Sequence, residues 1–208
     1  MGGRLDDVTL GILAGGEGRR FGGRDKAWIE FAGEPLVLRQ VRRLGPWFAQ
    51  VRVSANRNGD LYRRHGLSAV ADAGAPQGPL SGVAALLAHC TTAWLMTVPV
   101  DAHALEPAAL HALRAAAERA DGAVAAEPDG LQPMLALYRV APMRGRVDAA
   151  LAAGRLAVRE VQAQAGFAVV ALAACVGNLN TPAALAAAEA GGARDDPARP
   201  DFRPETPA

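Results

Sequence analysis

Short apolar runs, each closed by glycine, proline or a charged residue, recur along the chain and set its first prediction. Val8–Leu13 reads as a buried strand ended by Gly15 and Gly16. Val51–Ser54, Ser68–Ala71 and Trp94–Val98 read as further strands, the last stopped by Pro99. Between them, helices are expected from Pro35 to about Leu44, from Asp60 (as cap) to near Gly66, and from Ser81 (as cap) to about Ala88. Glu106–Arg119 is a helix with Pro107 in its first turn. Ala123–Ala126 and Met134–Tyr138 follow as strands, Met143–Ala153 and Ala157–Gln164 as helices, and Phe167–Ala171 as an edge strand. Thr181 opens a last helix reaching Ala190, with Pro182 at its first position. Glu17–Glu34 is dense in glycine and charge and is expected to be one long loop, a length usually tied to function or disorder.

Strand and helix alternate through the first 120 residues. That pattern predicts an α/β, three-layer, Rossmann-like, mostly parallel sheet with helices on both faces. Ligands of such sheets sit beyond the carboxyl ends of the strands. Leu13–Lys26, Asn56, Asp72 and Asp101 each follow a predicted strand, so one rim should collect them. Residues 1–190 are expected to form one domain. Residues 191–208, rich in Gly, Asp, Arg and Pro, are expected to be a disordered tail.

Composition narrows the classes. A chain of 208 residues buries enough surface, roughly 70%, to fold without disulfides. Cys90 and Cys175 lack metal or redox spacing and are expected to be reduced, buried thiols. With 22 basic and 21 acidic residues there is no broad basic excess, so nucleic acid is not the expected partner. No apolar stretch approaches membrane-helix length, and a cytoplasmic protein is expected. Abundant alanine raises helix propensity everywhere and weakens predictions based on propensity alone.

The densest chemistry lies in Leu13-Ala-Gly-Gly-Glu-Gly-Arg-Arg-Phe-Gly-Gly-Arg-Asp-Lys26. Its glycines allow sharp turns and close approach, and exposed N–H groups in such turns attract anions. Arg20 and Lys26 add positive charge against phosphate oxygens. A Walker A loop is excluded because Ala27 follows Lys26, and a dinucleotide fingerprint because Phe21 stands at its third glycine.

This loop resembles the LAGGxGxRxGGxDK signature of molybdenum cofactor guanylyltransferases, a branch of the nucleotide-diphospho-sugar transferase type. Gly22, Gly23, Asp25 and Lys26 carry the part that separates this family from its relatives. The resemblance continues through Ser54-Ala-Asn-Arg57, Asp72, Gly78-Pro-Leu-Ser-Gly82, Val98-Pro-Val-Asp101 and Asn178-Leu-Asn-Thr-Pro182, so it spans Leu13 to Pro182. It implies GTP as donor, Mg²⁺ as cofactor and molybdenum-molybdopterin as acceptor, with molybdoenzyme apoproteins or their chaperones as recipients. It also implies nucleotide contacts at Leu13, Ala14, Gly15, Gly16, Lys26, Asn56, Asp72 and Asp101, with the metal on Asp101. Lys26, Arg20 and Asp101 would carry the catalysis. Val100 departs from the cysteine common in the family, a change compatible with a hard cation nearby.

Each residue also has a plainer reading. Asp101 suits a hard cation bridging phosphates, or a turn cap. Asn56 and Asp72 suit base or ribose edges, or turn formation. Gly78, Ser81 and Gly82 are candidate acceptor contacts, or loop and packing residues. Asn178 and Asn180 precede the last helix and are either acceptor contacts or caps, and that helix N-terminus suits a phosphate. Arg159 is an acceptor contact or part of a solvated face. Two rival functions remain. One is the same chemistry on another pair, a cytidylyltransferase on the same cofactor or a sugar-phosphate nucleotidyltransferase. The other is a non-catalytic nucleotide-binding accessory protein. Asp25-Lys26 after Gly22-Gly23 argues against the first, and Lys26 together with Asp101 against the second.

Overall fold

The computed structural model describes residues 3–15, 21–74 and 77–191. In chain order the elements are β1 (Leu5–Leu13), β2 (Glu30–Phe31), β3 (Glu34–Pro35), α1 (Leu36–Leu44), β4 (Phe48–Ser54), α2 (Gly59–Arg64), β5 (Ala69–Val70) and α3 (Pro79–His89). Then come β6 (Trp94–Pro99), α4 (Pro107–Ala116), β7 (Gly122–Glu127), β8 (Gly130–Arg139), α5 (Val140–Ala152), α6 (Val158–Gln164), β9 (Ala168–Ala171) and α7 (Pro182–Ala190).

Seven strands form one sheet in the order β5-β4-β1-β6-β8-β7-β9. β4 and β6 flank β1 in parallel, and β8 runs antiparallel to both β6 and β7. β9 pairs β7 in parallel, so β8 alone opposes the other six, and the sheet is mostly parallel as the alternation predicts. β9 lies at the sheet edge, where its sequence places it.

The strands carry apolar residues on both faces, because both are covered. One face packs Val8, Leu10, Ile12, Met96, Val98, Leu135 and Leu137 against α1 and α4. The other packs Leu95, Val124, Ala136 and Tyr138 against α3, α5 and α6. Two of the closest approaches need glycine. A Cβ on Gly11 would meet the methyls of Leu86 and Leu95 within 2.9 Å, and one on Gly82 would sit 2.7 Å from Ser54 Oγ.

Several expectations shift. The long loop predicted over 17–34 contains a 3-10 turn at Lys26–Trp28 and the hairpin β2–β3. That hairpin turns on Ala32 (φ 52°) and Gly33 (φ 79°), the left-handed pair a tight turn between twisted strands requires. Asn58 (φ 58°), not Asp60, occupies the cap position of α2; Asp60 lies in its first turn and pairs with Arg63. Pro79 starts α3 two residues before Ser81, whose hydroxyl accepts from Gln77 N at 3.1 Å. Cys90 is buried as expected, but Cys175 is exposed, because it lies in the irregular connection between β9 and α7. Among the described residues no helix is long and apolar enough to cross a membrane. Of the predicted tail, 192–208 lies outside the described residues.

Candidate active site

β1, β4, β5 and β6 end on one edge of the sheet, and the segments leaving them build the site. Leu13 closes β1; its carbonyl accepts from Val100 N at 3.2 Å, and Ala14 N donates to Ser54 O at 3.0 Å. Ala14 is thus tied to the neighbouring strand end, while Gly15 is exposed with open space around its Cα. Gly16 and Arg20 lie outside the described residues.

Phe21, 7% exposed, packs in the core. Gly22 (φ 66°) and Gly23 (φ 80°) then make the left-handed turns that deliver Asp25 and Lys26. Asp25 caps the 3-10 turn, its Oδ1 accepting from Ala27 N at 3.1 Å, while its Oδ2 accepts from Asn58 Nδ2 at 2.9 Å. Burial pushes the nearby Tyr62 hydroxyl above its ordinary range, and the Asp25 charge acts in the same direction. Asp25 therefore locks the loop onto the β4–α2 connection and fixes the residue after it.

Lys26 Nζ donates to Asp101 Oδ2 at 2.5 Å and to Asn180 Oδ1 at 2.7 Å. Three segments distant in sequence meet at that ammonium. The Asp101 side chain is 10% exposed and that of Lys26 20%, so the pair faces solvent from a recess. Asn180 reaches Lys26 because Thr181 takes the cap of α7, accepting from Ala184 N at 3.1 Å. Asn178 bridges Ala102, and Leu179 N donates to Asp101 O at 3.4 Å, which lays this segment along the Asp101 loop.

Asn56 and Asp72 stand together on the β4–β5 side, Asn56 Nδ2 donating to Asp72 Oδ2 at 2.9 Å. Gly78 (φ 85°) turns the chain into α3, and Gly82 is packed under Ser54 and Leu13, where its surroundings are those of helix-to-sheet closure. Arg159 is exposed on α6.

Sequence reasoning missed the supports. Gln40, 2% exposed on α1, donates through Nε2 to Ala102 O at 2.8 Å and Val100 O at 3.3 Å, with Pro99 O at 3.4 Å. Arg43 on the same helix donates to His103 O at 2.6 Å and Leu105 O at 3.1 Å. Burial holds the His103 imidazole below its usual range, and the Arg43 and Arg39 charges lower it further against backbone hydrogen bonds. Glu127, 8% exposed at the end of β7, accepts from Val176 N and from Gln132 Nε2. A carboxylate ending an apolar strand was a readable signal for Glu127, the same one that marks Asp101.

Among the described residues no cluster of three His, Cys, Asp or Glu could cage a metal. A single recessed carboxylate is compatible with Mg²⁺, which is commonly held by one or two carboxylates together with substrate phosphates. Asp101 would hold it.

Comparison with known proteins shows the family and the fold. The MobA-like NTP transferase domain matches residues 10–166. A molybdenum cofactor guanylyltransferase of Cereibacter sphaeroides is 40% identical over 186 residues, covering 86% of this chain and 93% of that protein. One from Acidovorax sp. (strain JS42) is 37% identical over 162 residues, covering 72% and 77%. The crystal structure of molybdopterin-guanine dinucleotide biosynthesis protein A from Archaeoglobus fulgidus shares the fold, with a TM-score of 0.75 at 20% identity over 88% of this chain and 97% of that one.

Proposed function

Because this chain belongs to the MobA-like NTP transferase family, and is thereby a nucleotidyltransferase, we propose that it transfers GMP from GTP to the terminal phosphate of molybdenum-molybdopterin in the cytoplasm. The meeting of Lys26, Asp101 and Asn180 at one recess carries the reading. Its guanylyltransferase relatives support the donor and acceptor.

In this reading the GTP phosphates lie along Leu13, Ala14, Gly15 and Gly16, with Asn56 and Asp72 toward the nucleoside. An oxygen of the acceptor's terminal phosphate bonds to the α-phosphorus as the bond from that phosphorus to the bridging oxygen breaks. Pyrophosphate leaves, and the product is molybdopterin guanine dinucleotide. Mg²⁺, when bound, would supply neutralisation of phosphate charge. Asp101 would hold the cation, and Lys26, which pairs with Asp101 in this structure, would direct its ammonium to the phosphates. Arg20 adds charge to the leaving group. Asn180 and Asn178 orient the acceptor from the α7 side, with Gly78, Ser81 and Gly82 bounding its approach near α3. No protein nucleophile is needed, since the acceptor is already an anion and catalysis rests on positioning and charge.

Incubation with each of the four NTPs, Mg²⁺ and purified molybdenum cofactor tests this. A product mass matching the guanine dinucleotide is expected with GTP alone. A cytosine product, or GTP binding with no product, would overturn it.

A further inference from the structure

We propose that Gln40, assisted by Arg43, is a positioning residue for the Asp101 carboxylate; the inference rests on the functional reading above. The loop that presents Asp101 has no helix or strand of its own between β6 and α4. Its conformation is instead set from below. The Gln40 amide lies among the carbonyls of Pro99, Val100 and Ala102, which bracket Asp101 on both sides. Arg43 continues the grip one helical turn later, on His103 and Leu105. Both side chains hold main-chain oxygens, so the peptide planes around Asp101 cannot turn without breaking buried hydrogen bonds.

The same segment that grips Asp101's loop also supplies its partner. Lys26 lies in the 3-10 turn just ahead of the β2–β3 hairpin, and Leu36 N donates to Ile29 O at 3.0 Å across the base of that hairpin. The chain from Asp25 to Arg43 is thus one braced unit with Lys26 at one end and Gln40 and Arg43 at the other. It sets both the ammonium and the loop carrying the carboxylate, and so their spacing.

Gln40→Met keeps the length and removes both N–H donors. GTP affinity is measured by calorimetry with Mg²⁺ and with EDTA, beside turnover and thermal midpoint. The gain in affinity that Mg²⁺ confers should fall about 10-fold or more, the range typical of residues that support a metal ligand. Affinity in EDTA should stay within about twofold, and kcat should fall with the Mg²⁺ gain. Val41→Ala, a buried truncation on the same helix, controls for lost stability and should keep the full Mg²⁺ gain. If Gln40→Met does not fold, Arg43→Lys, which loses the two-point grip, takes its place with the same expectation. An unchanged Mg²⁺ gain in the variant, or an equal loss in Val41→Ala, overturns the inference and leaves the functional reading standing. Wild-type protein whose GTP affinity ignores Mg²⁺ removes the functional reading and this inference with it.

Discussion

Asn56 and Asp72 hold each other through two hydrogen bonds: Asn56 Nδ2 donates to Asp72 Oδ2 at 2.9 Å, and Asp72 N donates to Asn56 Oδ1 at 2.8 Å. They leave the ends of adjacent strands β4 and β5, so each fixes the other's place on the rim. Residues in one such network do not contribute additively. Asn56→Ala and Asp72→Ala should each weaken GTP binding by about 10-fold, and the double variant by little more than either alone. Calorimetric titration of the four proteins checks this. Losses that multiply would show that the two act separately.

Under the proposed reaction, changes at Lys26 and Asp101 should have the larger effect. Removing one preorganised electrostatic group from a transition state costs about 10²–10³ in turnover. Asp101→Asn and Lys26→Ala should each lower pyrophosphate release by about that factor, followed by a coupled phosphate assay. Lys26→Arg should recover only part of the loss, since a planar fork does not replace a compact ammonium shared between a carboxylate and an amide. Full activity in Asp101→Asn would end the site assignment.

Much of this rim was legible in the sequence. The apolar runs place β1, β4 and β6, and once their order is known the residues after them must share an edge. The hairpin was not legible, because strands of two residues show no periodicity and Ala32-Gly33 is not the usual Asn-Gly turn. Gln40 and Arg43 were hidden for a different reason. Each reaches main-chain oxygens about 60 residues away, and no local pattern encodes a partner at that separation. Asn180 fell between: its nearness to a helix start was readable, but only Thr181's capping bond shows that Asn180 is spared for Lys26.

The glycines of the loop divide into two kinds that substitution separates. Gly22 and Gly23 adopt φ of 66° and 80° in open space, so an added methyl meets no atom but the backbone is strained. Gly22→Ala should lose about 1 kcal/mol of stability and Gly22→Asn less, since Asn tolerates the left-handed region better. Gly15 has no positive φ and equally open space. Gly15→Ala should therefore leave the denaturant midpoint unchanged while weakening GTP binding, because only an incoming phosphate would meet the methyl. Unaltered GTP affinity would remove Gly15 from the phosphate path.

Gly82 answers to packing. Its Cβ would lie 2.7 Å from Ser54 Oγ and 3.3 Å from Leu13 Cδ2. Gly82→Ala should cost about 1–3 kcal/mol by overpacking. Adding Ser54→Ala removes the nearer atom and should restore most of that loss, measured by urea unfolding of the single and double variants. A double variant no more stable than Gly82→Ala would locate the strain elsewhere.

Glu127 ties the β9–α7 side of the rim to the sheet. Both its oxygens face donors, the Val176 N–H and the Gln132 amide, in a place 8% exposed. Val176 in turn receives Ala104 N on its carbonyl at 2.8 Å, so the connection from β9 to α7 is held at Val176 and again at Asn178 before it delivers Asn180. Glu127→Met keeps the length but removes both acceptors, leaving the Val176 N–H unpaired at a cost of about 1–3 kcal/mol. The loss should be local. Hydrogen exchange should quicken at Val176 and Leu179 while the amides of β1 and β6 stay protected. Under the proposed reaction, KM for the acceptor should rise while GTP affinity is kept, because Lys26 and Asp101 stay anchored from α1 and Asp25. Faster exchange spread evenly over the sheet would mean that Glu127 supports the whole fold rather than this arm.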